Sequence, residues 1–416
     1  MADLMEKISS LAKRRGFIYP GSEIYGGLQG FYDFGPLGVE MKNNLKKLWW
    51  HSMTVEHEDI VGIDGDIITH PKVWEASGHV KGFSDAVTEC KSCHHRFKAD
   101  DLKSKNCPDC GGELTQPKNF NLLMSTELGV IEGEKTKTYL RGEACQTIYL
   151  NFKNVVNSTR VKLPFGICQI GKAFRNEVTP QNFLFRTREF EQYDLQWFTR
   201  PEEMDKWFEF WKEERMKWYK SIFTHPENLD FYKHEKLVFY AKKAFDIQYK
   251  GQEMEGIHWR SDWDLSRHGE YSGQDLTFEG IIPHIIETSG GVDRTFLFLL
   301  LDAYSEEGER VILKLNPKIA PYKVAVFPLL ANKEELVEKA RGIYLELRKS
   351  LGLVAWDARG NIGKRYFAQD EIGTPWCITV DFQSLEDDMV TVRDRDSAEQ
   401  ERVAIDKLQE YLQNKM

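Results

Sequence analysis

The chain has 416 residues, 41% hydrophobic and 29% charged, with a net charge of −9 and seven cysteines. That length exceeds one compact core and predicts two or three domains, while the composition excludes a disordered chain. The negative balance excludes a protein that simply coats nucleic acid, though not an enzyme that engages one RNA through a local basic surface.

The opening segment MADLMEKISSLAKRRGF carries charges where a secretion signal needs an apolar stretch. The longest apolar run, near Phe296–Leu301, is too short to cross a bilayer, so a cytoplasmic protein is the expectation. After the turn-rich YGGLQGFYDFGPLG, Met41, Leu45, Leu48, Trp49 and Met53 recur at helical spacing, which core packing alone would explain. Ile60 to Trp74 mixes β-branched residues with glycine and reaches Pro71, and is expected as a strand and turn. Residues 84–118 break the pattern: they are polar, Lys-rich and carry four paired cysteines, like a small inserted module. From Thr138 to Trp197 the segments TIYLNF, GICQIGKAFRNE and FRTREFEQYDLQWF alternate as half-buried strands do. PEEMDKWFEFWKEERMKWYKSIF is expected as a helix whose stripe of Trp207, Phe208, Trp211, Met216 and Trp218 packs a core. YKGQEMEGIHWRSDWDL returns to strand, and IIPHIIETSGGVDRTFLFLLLDAY gives a strand, a Gly-Gly turn and an apolar helix. After LNPKIAP the texture changes. KVAVFPL, LVAWD, CITVDF and MVTVRDRD are strands, with helices over Glu334–Ser350, NIGKRYFAQDEIG and from about Arg402, which predicts a self-contained α/β domain.

Two constellations carry chemistry. The first is Phe174-Arg175-Asn176-Glu177, a Pro-containing turn, then Arg186 through Asp194. Arg175 and Glu177 lie two apart on a strand and share a face. An ATP site without a helix-capped phosphate loop must neutralise phosphates with side chains, and arginine does so with a planar fork. Phe190 offers a flat partner for adenine and Glu177 an acceptor for its exocyclic amine. Cross-strand Arg–Glu pairs on a solvated hairpin would explain FRNE alone; the complete spacing, FRxE, loop, RxxxFxxxD, favours the nucleotide. The second is Cys90-x-x-Cys93 with Cys107-x-x-Cys110. Four thiolates in two tight pairs suit a tetrahedral structural Zn²⁺ with no open position; disulfides are the alternative, less suited to a reducing compartment. Metal binding would supply the folding energy of so short and polar a module. Cys145, Cys168 and Cys377 are expected as buried free thiols.

The hairpin from Phe174 to Asp194 resembles motif 2 of class II aminoacyl-tRNA synthetases, and Gly290-Gly291-Val292-Asp293-Arg294 before an apolar helix resembles motif 3. The helix ending in LWWHSM, with the strand to Pro71, is similar to motif 1, the usual dimer interface of the class. PGSEIYGGL, DFGPLGVEMKNN, VWEASGHV, PFGICQIGKAFRNE, FRTREFEQYDLQWF, APYK and NIGKRYFAQDEIGTPWC narrow the resemblance to the bacterial homodimeric glycyl-tRNA synthetases, over nearly the whole chain.

The resemblance implies an α+β catalytic domain (residues 1–315) with a central antiparallel sheet and a zinc-binding insertion at about 84–118. An α/β anticodon-binding domain (316–416) would follow. It implies activation of glycine with ATP and Mg²⁺ to glycyl-adenylate, then transfer to the 3′ end of tRNA(Gly), by a homodimer joined through motif 1. Such transfers need positioning and charge neutralisation more than a protein nucleophile. By motif match, Arg175, Arg294 and Glu253 are the catalytic residues: Arg175 at the α-phosphate, Arg294 with Arg186 at the γ-phosphate, Glu253 as a Mg²⁺ ligand. Phe190 would stack on adenine and Met254 complete the ATP site. Asn176, Glu177, Phe185, Thr187, Arg188, Glu189, Gly291, Val292 and Asp293 belong to the same implied set. For glycine the implied set is Glu143, Glu287 and Ser289 at the ammonium group, with Phe190, Glu191, Gln192, Tyr193, Asp194, Thr288, Gly290 and Gly291 as walls. Lys98 stands where the family has arginine and cannot make a bidentate contact.

The chain departs from the family elsewhere. RGEACQTIY replaces R-P-E-T-A-Q-G-I-F, and ETSGG replaces E-P-S-G, so proline is lost at Gly142 and Thr288 while the Glu and Ser positions survive. In the C-terminal domain Arg359, Lys364, Arg365 and Arg393 either meet RNA or form a solvated charged face. Two other readings stay open: a class II synthetase for another small amino acid, and a synthetase-like RNA-binding protein that does not charge tRNA. Relatives of the latter kind usually lose the ATP arginines, and Arg175, Arg186 and Arg294 are all present.

Overall fold

The computed structural model describes residues 2–416 apart from 103, 132, 179, 181–182 and 238–240. Seven strands form the central sheet: β1 (Ile60–Gly62), β2 (Phe165–Phe174), β3 (Glu189–Thr199), β4 (Leu229–Lys233), β5 (Lys243–Tyr249), β6 (Gln252–Ser261) and β7 (His284–Gly291). Their spatial order is β4-β5-β6-β7-β3-β2-β1. Every neighbouring pair is antiparallel except β1 with β2. Helices α1 (Pro36–Thr54), α2 (Met204–Ile222) and α3 (Val292–Ala303) cover one face. Met41, Leu45, Trp49 and Met53 from α1 and Phe208, Trp211 and Met216 from α2 join the main core, as their spacing predicts; Trp207 and Trp218 pack at its margin. The opposite face carries a second, smaller core at one end and the site beside it.

Two expectations in this region are corrected. TIYLNF, expected as a strand, is helical, with helices over Gln146–Leu150 and Phe152–Ser158. Ile148, Tyr149, Phe152 and Val155 are buried at helical spacing in a second core with Phe165 and Phe198, so tertiary packing overrides their β-prone character. The segment from Ile60 also ends differently. Short strands at Ile60–Gly62 and Ile68–Thr69 precede a helix over Pro71–Ala76, with proline in its first turn and the His70 side chain capping Lys72 N.

Residues 84–121 form a separate three-stranded sheet of Ser84–Glu89, Arg96–Lys98 and Lys118–Asn121, in keeping with an inserted module. Beyond residue 316 a five-stranded sheet holds β8 (Val324–Pro328), β9 (Val354–Trp356), β10 (Trp376–Val380), β11 (Met389–Asp394) and β12 (Gln400–Ala404), in the order β9-β8-β10-β11-β12. Helix α4 (Glu334–Leu351) packs Leu336, Ala340, Ile343 and Leu347 against it; α5 is Ile362–Asp370. The expected helix from Arg402 is a strand there, and α6 begins at Leu408. Arg402 is held by Asp381 and Asp387, a pairing invisible to a periodicity count. Asp370, fully buried, joins the two sheets' domains. It accepts from Arg310 of the hairpin after α3 (2.7 Å) and from both Nη atoms of Arg393.

Candidate active site

Strand register builds the site. Gln196 lies opposite Glu287 and Glu287 opposite His258; two residues further along, Asp194 lies opposite Ser289 and Ser289 opposite Gly256. Because side chains alternate, these residues share one face, and Leu195, Thr288 and Ile257 between them point to the helix side. Above the face lies a cleft of about 450 Å³. It is lined by Glu143, Gln192, Asp194, Glu287, Ser289 and Gly290 at one end. Arg175, Glu177, Phe185, Arg186, Thr187, Phe190, Glu253, Met254, Gly291, Asp293 and Arg294 line the rest, with Lys98 and Asp85 at the rim of the inserted module.

The carboxylate end is rigidly supported. Glu287 accepts from Arg260 Nη1 on both oxygens (2.9 and 3.0 Å), from His258 Nδ1 (2.9 Å) and from Gln196 Nε2 (3.1 Å). Burial alone would raise its carboxyl, but the Arg260 guanidinium and His258 together outweigh that and hold it at about 2. Glu143 accepts from His79 Nε2 (3.2 Å), Gln146 Nε2 (2.8 Å) and the Cys145 thiol (3.0 Å). Burial again opposes ionisation, and His79, with help from Arg260 and the Cys145 thiol, overcomes it, keeping Glu143 well below the ordinary carboxylate range. Ser77 Oγ, 2.8 Å from His79 Nδ1, fixes that ring. Asp194 differs: burial and the neighbouring Glu287 push its carboxyl well up.

The cationic end carries the three motif arginines. Arg175 donates to Gly142 O (3.0 Å), with its guanidinium 5.1 Å from the Phe83 ring and 5.3 Å from the Phe190 ring. Arg294 contacts Glu253 through the backbone carbonyl (3.1 Å) and carboxylate (3.3 Å) and lies over Phe185. Arg186 pairs loosely with Asp101 of the inserted module (3.6 Å). Lys98 is tied to Asp85 at 2.7 Å. Burial raises the Glu177 carboxyl, against the pull of Arg175 and Arg186.

Several expected residues lie elsewhere. Glu191 and Tyr193 occupy the odd positions of β3 and face the helices. Glu191 pairs with Lys42 and Lys46 of α1, and Tyr193 stacks on Trp49 at 5.2 Å. Thr288 is buried on that same face, and Val292 lies in the core beneath it. Glu189 pairs with Lys172 across the hairpin. Asn176 and Arg188 line a neighbouring groove, where Arg188 holds the backbone carbonyls of Glu177 (3.0 Å) and Gln29 (3.1 Å). Gly290 is required by the helix side: a Cβ there would come within 2.4 Å of the Tyr193 ring. Residues that sequence reasoning missed are His79, Gln196, His258 and Arg260, whose importance comes from strand register and chain crossings with no local motif. In the C-terminal domain Arg365 donates to the Arg359, Gly360 and Pro328 carbonyls, and Arg393 is buried on Asp370, so both are structural. Arg359 and Lys364 remain exposed.

In the inserted module Cys90, Cys93, Cys107 and Cys110 bring their sulfurs within 4.8 Å of one another, Cys90 to Cys110 at 3.5 Å and Cys93 to Cys107 at 3.6 Å. Four thiolates on one tetrahedral Zn²⁺ stand about 3.8 Å apart, so the donor set fits that ion. All seven cysteines are free thiols, and Cys145, Cys168 and Cys377 are buried.

Chemically, the cleft joins an anionic end that can seat a small cation to a cationic, aromatic end that can seat a polyphosphate on a flat base. The family model described as tRNA synthetase class II core domain (G, H, P, S and T) matches residues 129–304, and that of an anticodon binding domain matches residues 323–415. A glycine–tRNA ligase of Borreliella burgdorferi is 48% identical, covering 99% of this chain and 97% of its own. Those of Thermobifida fusca (47%; 100% and 98%) and Streptomyces coelicolor (46%; 100% and 99%) are similar over the same extent. With such identity from end to end, the chain belongs to the glycine–tRNA ligase family of class II synthetases.

Proposed function

We propose that this protein ligates glycine to tRNA at the expense of ATP: glycine is first activated as glycyl-adenylate and then passed to the 3′ end of tRNA(Gly). The observation that carries the reading is one cleft with Glu143 and Glu287 held ionised at one end and Arg175, Arg186 and Arg294 at the other. Glu143, Glu287 and Ser289 receive the ammonium group. The crowded floor between them rejects larger amino acids, since overpacking costs about 1–3 kcal/mol per extra group. Arg175 aligns the α-phosphate with the glycine carboxylate, Arg294 and Arg186 neutralise the outer phosphates, and Phe190 supports adenine. Glu253, more than half exposed beside Arg294, is the Mg²⁺ ligand. No side chain acts as a nucleophile: the glycine carboxylate displaces pyrophosphate, and the tRNA hydroxyl then displaces AMP. ATP–pyrophosphate exchange is expected with glycine and at background level with alanine, serine or threonine. Equal exchange with alanine would overturn the glycine assignment.

The four cysteines hold one structural Zn²⁺, which organises the module at the cleft rim, where Lys98 and Asp101 lie. About one zinc per chain should survive exhaustive dialysis, measured by atomic emission. A metal-free protein that remains folded and active would remove this site. The catalytic unit spans residues 1–315 and the anticodon-binding unit 316–416. The working form is a cytoplasmic homodimer joined through α1, where Trp50 and, just past the helix end, Val55 are exposed beside Ile170; monomeric sedimentation at micromolar concentration would contradict the dimer. Among the described residues, no helix is long and apolar enough to cross a membrane.

A further inference from the structure

Three carboxyl groups converge at the closed end of the cleft, and their partners are unequal. Glu287 has Arg260 and His258, and Glu143 has His79. Asp194, 1% exposed, has only neutral partners among the described residues: Gln196 Nε2 on Oδ1 and Ser289 Oγ at 3.1 Å from Oδ2. The Gln196 amide is oriented, because its Oε1 accepts from Tyr149 (2.6 Å) and its Nε2 reaches both Asp194 and Glu287. An oxygen of Asp194 and one of Glu287 lie within 4.8 Å of each other. Two buried carboxylates that close do not both ionise unless a cation joins them.

No cation pairs directly with Asp194 among the described residues. Glu143 and Cys145, from the segment before the Gln146 helix, add negative charge or a neutral thiol, as does Cys168 of β2. Arg141 is near and keeps its positive charge, but its guanidinium hydrogen-bonds the carbonyls of Lys172 and Gly65 and makes no direct ion pair with Asp194 among the described residues, so its pull does not cancel the effects of burial and Glu287. Arg260 of β6 is engaged by Glu287 and by Asp264, and His258 by Glu287.

We propose that Asp194 carries a proton in the free enzyme and releases it to solvent when the glycine ammonium group enters, becoming the third carboxylate that binds it. The Ser289 hydroxyl accepts from the protonated acid and donates to the carboxylate, so the exchange needs no rearrangement. Burial and Glu287 favour the neutral acid beforehand, and the entering positive charge reverses that preference. The amino-acid site therefore reads charge as well as size, and protons compete with glycine. The inference rests on the proposed glycine site.

Isothermal titration with glycine at pH 7, in two buffers of different ionisation enthalpy, tests it. About one proton released per glycine is expected. The apparent Kd for glycine should fall about tenfold per unit of rising pH while Asp194 remains protonated in the free enzyme. Asp194→Asn keeps the shape and both neutral partners. It should bind glycine about 10–100-fold more weakly, with no proton released and little pH dependence. Buffer-independent heats for the parent protein, or undiminished proton release by D194N, would overturn the inference. Failure of the parent protein to bind glycine at any pH would instead overturn the function assigned to the cleft.

Discussion

Replacing Arg175 with alanine is expected to lower glycine-dependent ATP–pyrophosphate exchange about a thousandfold, the scale associated with removing a preorganised cation from a phosphoryl transition state. Arg175 follows the last residue of β2 and reaches into the cleft, its Nε anchored on Gly142 O and its guanidinium between Phe83 and Phe190. The anchoring carbonyl belongs to the residue before Glu143, so the arginine and the carboxylate proposed to bind the ammonium group are positioned by one stretch of backbone. At Gly142, where the family's proline is lost, Arg175 holds the backbone carbonyl, and Phe83 and Leu123 would both meet an added Cβ at 3.1 Å. The substitution should leave thermal stability nearly unchanged, because Arg175 has no buried ion-pair partner among the described residues. Exchange in R175A within tenfold of the parent rate would refute the role assigned to this residue.

The largest expected effect on stability lies on the opposite side of the sheet. Arg215 of α2 and Glu255 of β6 are 1% and 0% exposed and meet through two hydrogen bonds, at 2.7 and 3.0 Å. Tyr219 donates to the same carboxylate (2.8 Å), and Tyr193 and Thr295 continue the network. Arg215→Met removes the cation and leaves Glu255 buried without its charge partner, which should cost about 3–5 kcal/mol. The double variant Arg215→Met/Glu255→Gln should recover part of that loss, because no uncompensated charge remains. Urea unfolding followed by tryptophan fluorescence would measure both. A loss below about 1 kcal/mol in R215M would show that water or another group compensates the carboxylate. Tyr193 extends the consequence to the cleft, since it lies under Gly290 and flanks Asp194 on β3. A collapsed network should therefore also weaken glycine binding.

Much of this architecture was legible in the chain before any coordinates. Alternation along β2 and β3, the helical stripes of α1 and α2, and the Gly-Gly turn into α3 are short-range patterns, and the structure follows them. The paired cysteines likewise announced a four-sulfur cluster, because each Cys-x-x-Cys turn brings its two thiols together locally. Where local signals conflicted with packing, packing prevailed: β-branched and aromatic side chains in TIYLNF became helical to bury one face against Phe165 and Phe198.

The motif arginines and the carboxylates Glu143 and Glu287 could be named from spacing and resemblance. Which of their neighbours face the cleft could not, because a one-residue change of register turns every side chain of a strand to the other face. Register across β3, β7 and β6 separates Gln192 and Asp194 from Glu191 and Tyr193. It also places Gln196, Glu287 and His258 in one row. The electrostatics of the site were equally beyond the sequence: Arg260 and His258 lower the Glu287 carboxyl, whereas burial and Glu287 raise that of Asp194, whose hydrogen-bond partners among the described residues are neutral. Composition and motif spacing pointed to the kind of chemistry; the pairing of strands distant in the chain decided which side chains face the cleft and which charges lie beside them.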